Sequence, residues 1–325
     1  MANWLQSLIL GIVQGVTEFV PVSSSGHLVL LPYLAGWDAP GLAFDVALHM
    51  GTALAVIVYF RRELVRMAIA AVRPSRDPES MLYRRLLGLL ILGSIPVAIA
   101  GLTLKSVFEE AFTSPLVVSG LLLVTAAILT LGERARMQRV ARGAAQAAPR
   151  NQGDNTRVWD GDWMGQAQPV TASETLPDVE TGFDADDHLG VDLRQMNARQ
   201  AVLIGLGQTL ALFPGLSRSG ATITAGLFAG LTRAAATRFS FLLALPALVG
   251  AAIVSLPDLA DQSSGFSGGE ILVGVVAAFV SGYLTVSWLV KLVSRESLTM
   301  FVRYLIAAAI IGLFGYLMNG PVSSV

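Results

Sequence analysis

Six apolar runs, each roughly 20 residues long, constrain this chain more than anything else in it: approximately 42–60, 86–104, 115–132, 239–256, 271–290 and 301–318. About 20 residues at a helical rise of roughly 1.5 Å cross the hydrocarbon core of a bilayer. Lipid offers no partner to backbone N–H and C=O groups, so each such run must be helical. The expected fold class is an all-α polytopic membrane protein. Composition agrees, with 54% of residues hydrophobic and 14% charged, against about a quarter charged in a soluble domain. A net charge of −1 excludes a globally basic nucleic-acid binder. The absence of cysteine removes disulfides, thiolate nucleophiles and cysteine-held metals, and three histidines (His27, His49 and His188) are too few for a histidine cage.

Four further apolar segments, near 3–18, 26–36, 199–213 and 221–230, are too short to cross. They form two pairs, one around PVSSSG at 21–26 and one around PGLSRSG at 214–220. Short apolar segments paired about a Ser/Gly/Pro loop predict re-entrant helix hairpins that turn back inside the membrane. No basic stretch precedes the first pair and Glu18 ends its apolar run, so it does not read as a secretory signal.

Arginine placement orients the chain. Segment 61–85 carries Arg61, Arg62, Arg66, Arg73, Arg76, Arg84 and Arg85, and Arg134, Arg136, Arg139 and Arg142 follow the third span. Arg233 with Arg238, and Lys291 with Arg295 and Arg303, mark two more cytoplasmic turns. The alternate connections, near 37–41, 105–114, 257–270 and 319–325, hold one basic residue, Lys105. The N-terminus is therefore expected outside, with the first hairpin dipping in from that face and the second from the cytoplasmic face.

Residues 11–26 align without a gap on 205–220, matching Gly11 with Gly205, Gln14 with Gln208, Phe19 with Phe213, Ser23 with Ser217, Ser25 with Ser219 and Gly26 with Gly220. Each hairpin precedes three spans, so two inverted-topology repeats are expected, 1–138 and 199–325, with their serine loops meeting near the bilayer midplane. Residues 139–198 are expected to be a flexible, acidic cytoplasmic linker. Ten acidic residues lie between Asp154 and Asp192, while Trp159 and Trp163 sit in no sustained apolar period.

Ionisable groups at membrane depth are costly and functional by default. Away from span ends these are Glu18, His27 and Arg218, all in or beside the two loops, among Gln14, Thr17, Ser23, Ser24, Ser25, Ser217, Ser219, Thr222 and Thr224. Helices starting after both loops would aim N-terminal N–H groups and dipoles at one point. Gly26 and Gly220 would admit a ligand close to the backbone, and Arg218 adds a forked donor. This is an oxyanion site suited to phosphate. Glu18 and Gln14 share a helix face, and a carboxylate beside phosphate calls for a cation such as Mg²⁺ or Ca²⁺. Ser23, Ser24 or Ser25 could attack phosphorus, with His27 moving a proton. His49 reads as a supporting residue at most, and Pro96 and Pro246 as helix kinks. Transport of an anionic lipid or small anion is the rival class, since discontinuous helices aimed at an anion also suit a transporter or flippase. The grouping of Glu18, a serine and His27 favours hydrolysis.

QGVTEFVPVSSSGH at 14–27 and PGLSRSGATI at 214–223 resemble the paired signatures of the undecaprenyl-diphosphate phosphatase family of the bacitracin-resistance type. The resemblance covers roughly 1–138 and 197–320. It implies a metal-dependent membrane hydrolase that removes the terminal phosphate of undecaprenyl diphosphate. That step regenerates the lipid carrier of cell-wall synthesis at the extracytoplasmic side of the bacterial inner membrane. Carried over, Glu18, Ser24 and His27 would be catalytic. Ser23, Ser25, Gly26, Ser217, Arg218, Ser219, Gly220 and Thr222 would bind pyrophosphate, and Glu18 with Gln14 would hold the metal. Gln14 stands where the family also uses Glu, and the acidic linker is longer than the family's usual join. The expected partners are the polyprenyl diphosphate lipid and the bilayer, with a homodimer open and no nucleic acid.

Overall fold

A computed structural model describes residues 3–73, 75–103, 114–147, 191–261 and 265–321. Among them are eleven α-helices and no β-sheet, only an isolated parallel bridge between Val191 and Leu231. We number the helices in chain order: α1 (Asn3–Phe19), α2 (Ser24–Ala35), α3 (Leu42–Tyr59), α4 (Arg61–Val72), α5 (Pro78–Thr103), α6 (Pro115–Ala147), α7 (Ala198–Leu210), α8 (Arg218–Phe228), α9 (Arg233–Asp261), α10 (Gly268–Arg295) and α11 (Thr299–Asn319). Helices α3, α5, α6, α9, α10 and α11 are long and apolar enough to cross a membrane. The chain is a multi-pass membrane protein. Ile91, Ile95 and Ile99 form an outward stripe along α5, as do Ile306, Ile310 and Phe314 on α11, which is a surface for lipid rather than water.

Local chemistry fixes the helix ends. Asn197 and Gln200 form a capping box at α7, and Ser267 with Glu270 forms another at α10. Helix α2 stops at Gly36, whose left-handed conformation (φ 65°) returns its N–H to the carbonyls of Pro32 and Tyr33.

Two boundaries differ from the expectation, and one helix is added to it. The arginine-rich segment after the first span folds into α4, which buries Met67 and Ala70 and leaves Arg61 and Arg62 exposed. Helix α5 starts at Pro78, a residue suited to a first helical position. Helix α6 continues through residue 138 to Ala147, so the start expected for the linker falls within a helix. Most of the linker, including Trp159, Trp163 and His188, and also Lys105, lies outside the described residues. Structure resumes at Val191, and Arg85 fastens this return by donating to the carbonyls of Arg194, Gln195 and Met196.

The basic ends of the helices gather together. Glu133 is buried and accepts both Nε and Nη2 of Arg233 at 3.0 Å, and also the Leu298 amide. Arg238 reaches Glu63 at 3.2 Å. At the opposite end Gln6 donates to the Asp38 carbonyl, Phe44 stacks on Phe266 with centroids 4.2 Å apart, and Tyr33 donates to the Gly320 carbonyl.

Two glycine contacts set the position of the short helices. Gly11 of α1 lies so close to the Gly274 carbonyl of α10 that a β-carbon would overlap it, and Gly205 of α7 meets Gly93 of α5 in the same way. Backbone contact this close admits only glycine.

Candidate active site

The site starts from the two serine loops. Ser23 caps α2, its hydroxyl accepting from the Gly26 amide at 3.2 Å, and Ser217 caps α8 through the Gly220 amide at 3.0 Å. The cap hydroxyls contact Ser25 Oγ at 3.3 Å and Ser219 Oγ at 3.1 Å respectively. Ser23 takes up φ 71°, unusual for a residue with a side chain. The loops then join: Ser219 donates to the Val20 carbonyl at 3.1 Å, and the Gly215 amide to Ser25 Oγ at 3.4 Å. Phe19 packs edge-on against Phe241 and anchors the end of α1.

At this junction sits Glu18, only 5% exposed. Its Oε1 accepts Arg218 Nη2 at 2.7 Å, and its Oε2 accepts Ser24 Oγ at 2.5 Å and Gln14 Nε2 at 3.1 Å. His49 Nε2 stands 3.7 Å from the same Oε2. The N-termini of α2 and α8 therefore converge on one carboxylate. His49 lies seven residues into α3, and Ser240, which accepts from Arg218 Nη1 through its carbonyl, lies seven residues into α9. These helices begin at opposite ends of the molecule, so the site is about 10 Å of helix from either end.

The site opens into a cavity of about 590 Å³. Glu18, Ser24, Ser25, His49, Gln208, Ser217 and Arg218 line its polar end. From there it runs between α5 and α9 along Val97, Ala98, Leu102, Leu248, Ala251 and Val254. Leu102 and Ile253 at its mouth are 69% and 60% exposed, so the cavity opens sideways onto the apolar surface.

The remaining expected site residues do not face this cavity. His27 points away, its Nδ1 2.7 Å from the Ser23 carbonyl and its Nε2 2.6 Å from the Tyr304 hydroxyl of α11, with the rings stacked. The imidazole beside Glu18 is that of His49. Thr222 donates back to the Arg218 carbonyl and meets Ser240 Oγ at 2.5 Å inside the helix packing. The amides of Gly26 and Gly220 are occupied by serine caps; a β-carbon at Gly26 would press on Leu122 of α6, and one at Gly220 on the Ser217 side chain. Gly26 packs against α6, Ser23 bonds within its own loop and Ser219 bonds across to the other. Gln208 carries the converse signal: buried against the cavity, its amide oxygen and nitrogen have no hydrogen-bond partner among the described residues. Its alignment with Gln14 was the only pointer to it in sequence.

The donors present fit a divalent cation that shares its coordination with substrate. Among the described residues no three His, Cys, Asp or Glu side chains are grouped as a cage. Glu18 supplies one carboxylate, and Gln14 Oε1 is buried without a hydrogen-bond partner among the described residues. One carboxylate plus substrate phosphates is an ordinary way to hold such an ion.

The profile of the bacitracin resistance protein BacA family matches residues 7–177 and 183–311. The chain belongs to the BacA family. Family relatives match it almost end to end. The Undecaprenyl-diphosphatase of Pelobacter propionicus is 38% identical over 313 residues, 94% of each chain. That of Gemmatimonas aurantiaca is 37% identical over 313 residues, 96% of this chain and 97% of the relative. Undecaprenyl-diphosphatase 2 of Streptomyces coelicolor is 36% identical over 312 residues, 95% of this chain and 93% of the relative. In this BacA-family chain both matched segments contribute to the site, Glu18 and Ser24 from the first and Arg218 from the second.

Proposed function

We propose that this protein is an integral membrane phosphatase that hydrolyses undecaprenyl diphosphate to undecaprenyl phosphate and inorganic phosphate. It would thereby recycle the carrier of cell-wall synthesis and confer bacitracin resistance. The observation that carries the reading is the lateral cavity, polar where Glu18, Ser24 and Arg218 meet and apolar from Val97 to Leu102. A diphosphate headgroup fits the first part and a polyprenyl tail the second, without the lipid leaving the membrane. Family membership and near full-length relatives named undecaprenyl-diphosphatase support the same substrate.

Ser24 is the attacking group of this reading because its hydroxyl is already bonded to Glu18 at 2.5 Å. Its Oγ adds to the terminal phosphorus and the bond from that phosphorus to the bridging oxygen breaks. The lipid monophosphate leaves with the electron pair, and the serine proton passes to Glu18. Water then cleaves the phosphoserine, releasing inorganic phosphate and restoring the hydroxyl. Arg218 stabilises charge on the transferring phosphoryl oxygens, and Ser25, Ser217 and Gln208 orient the headgroup. A divalent cation, Mg²⁺ or Ca²⁺, held by Glu18 with Gln14, supplies further charge neutralisation when bound. The inward-facing serine tips, the paired glycine contacts of α1 and α7, and the basic ends gathered on one side support two inverted repeats. In this reading the protein lies in the inner membrane with its headgroup cavity served from the extracytoplasmic side and residues 139–198 cytoplasmic, an orientation that the basic helix ends gathered on one side support.

A phosphate-release time course on undecaprenyl diphosphate, with purified protein in detergent, tests this. Release should require Ser24 and Arg218, stop in EDTA and return with Mg²⁺ or Ca²⁺. Tight binding of the lipid without any release would favour the transporter class instead.

A further inference from the structure

We propose that His49 is a metal ligand, and that the cation site of this protein is a mixed nitrogen–oxygen site built on Glu18 Oε2 and His49 Nε2. The inference rests on the metal-assisted reading above and specifies the donors behind it. Three observations converge. First, the His49 tautomer is set from behind: Nδ1 lies 2.7 Å from the Asp45 carbonyl one turn earlier on α3. A carbonyl can only accept, so Nδ1 carries the hydrogen, and in the neutral ring Nε2 presents its lone pair. This is the support that metal-bound histidines ordinarily have. Second, Nε2 makes no hydrogen bond among the described residues, and 3.7 Å from Glu18 Oε2 is too long for one. It is shorter than twice a metal–ligand distance of about 2.1 Å, so one ion can touch both atoms. Third, Glu18 and His49 both line the polar end of the cavity, where phosphate oxygens and water can complete the coordination.

A charged histidine paired with Glu18 is the competing account of the same distance. It is the weaker one, since Arg218 Nη2 already pairs with the carboxylate at 2.7 Å. A diphosphate arriving beside Glu18 needs more positive charge than one guanidinium offers, and an ion held by Glu18 and His49 would sit where that charge is required. The donor set also bears on metal choice. Mn²⁺ shares the oxygen preference of Mg²⁺ and Ca²⁺, but as a first-row transition ion it accepts an imidazole nitrogen more readily than either of them. The site should therefore hold Mn²⁺ more tightly than Mg²⁺ or Ca²⁺.

The test is Mn²⁺ binding followed by electron spin-echo modulation, on the full chain in detergent without an added histidine tag. MnCl₂ alone is the probe. Wild type should show coupling to a directly bound imidazole nitrogen, and so should the His27→Gln, His188→Gln double variant, in which His49 is the remaining histidine. The His49→Gln variant should lose the coupling, and its Mn²⁺ Kd should rise at least about tenfold, with a smaller change for Mg²⁺. Absence of nitrogen coupling in wild type or in the double variant, or failure of wild type to bind Mn²⁺, overturns the assignment. The double variant decides the matter even if His49→Gln does not fold. Because the measurement needs no turnover, nitrogen coupling in a protein that releases no phosphate would overturn the phosphatase reading alone.

Discussion

Glu18 and Arg218 stand 200 positions apart in the chain and meet at 2.7 Å, one at the end of α1 and the other at the start of α8. The pair is nearly dry, with side chains 4% and 13% exposed. Removing one member strands the other, at about 3–5 kcal/mol for a buried pair. Arg218→Ala should therefore lower the unfolding midpoint in detergent as well as abolish phosphate release. The double variant Glu18→Gln, Arg218→Met should recover part of the midpoint and none of the activity. Equal midpoints for the single and double variants would mean that the pair contributes nothing to folding.

Ser24 and Ser25 both line the cavity, yet only Ser24 bonds to Glu18. Ser24→Ala should lower kcat by more than about 100-fold, and Ser25→Ala should act mainly on KM. Acid quenching during turnover, followed by mass spectrometry of the peptide containing residues 20–30, should find phosphate on Ser24 in wild type. A phosphate-free peptide together with an active Ser24→Ala protein would transfer the attack to water.

Gln208 is a buried amide with neither end bonded among the described residues. If it receives the headgroup, Gln208→Leu removes a binding contact and relieves an unsatisfied group at once. The expected result is a KM raised several-fold with an unfolding midpoint equal to or above that of wild type. A lowered midpoint with unchanged KM would assign Gln208 to packing.

Glu133 does not line the cavity and ties α6, α9 and the turn before α11 together. Glu133→Ala removes the acceptor of two Arg233 hydrogen bonds and of the Leu298 amide and should destabilise by about 2 kcal/mol or more. Activity per folded molecule should hold near wild type at low temperature. Thermal inactivation half-life and initial rate, measured on one preparation, separate the two effects.

Gly205 touches the Gly93 backbone, so Gly205→Val should push α7 away from α5 and displace Gln208 one turn later. Reduced yield of folded protein together with a raised KM in what remains is expected. Normal values of both would show that the helices can separate without cost.

The six crossings were legible because apolar length is a property of the sequence itself, and the two loops because serine, glycine and proline break helices wherever they occur. Which imidazole meets Glu18 was not legible in the same way. His27 is near the serines in sequence, but at about 100° per residue it lies roughly 110° from the direction bisecting Ser24 and Ser25. It therefore turns to Tyr304 on α11. His49 reaches Glu18 only through the packing of α3 beside α1, which no local pattern records. Gly26 is a related case: glycine marks close approach, and only the fold reveals that the surface approaching it is α6. Helix α4 was hidden because its three arginines and Glu63 mask an apolar stripe too narrow to suggest a span.

The sideways mouth between Leu102 and Ile253 changes what concentration means for this enzyme. Substrate reaches it by diffusing within a sheet of lipid, so the encounter rate follows the number of carrier molecules per unit area of that sheet. Inert lipid or detergent added at constant molarity of enzyme and substrate should slow turnover by spreading the same carrier over more surface.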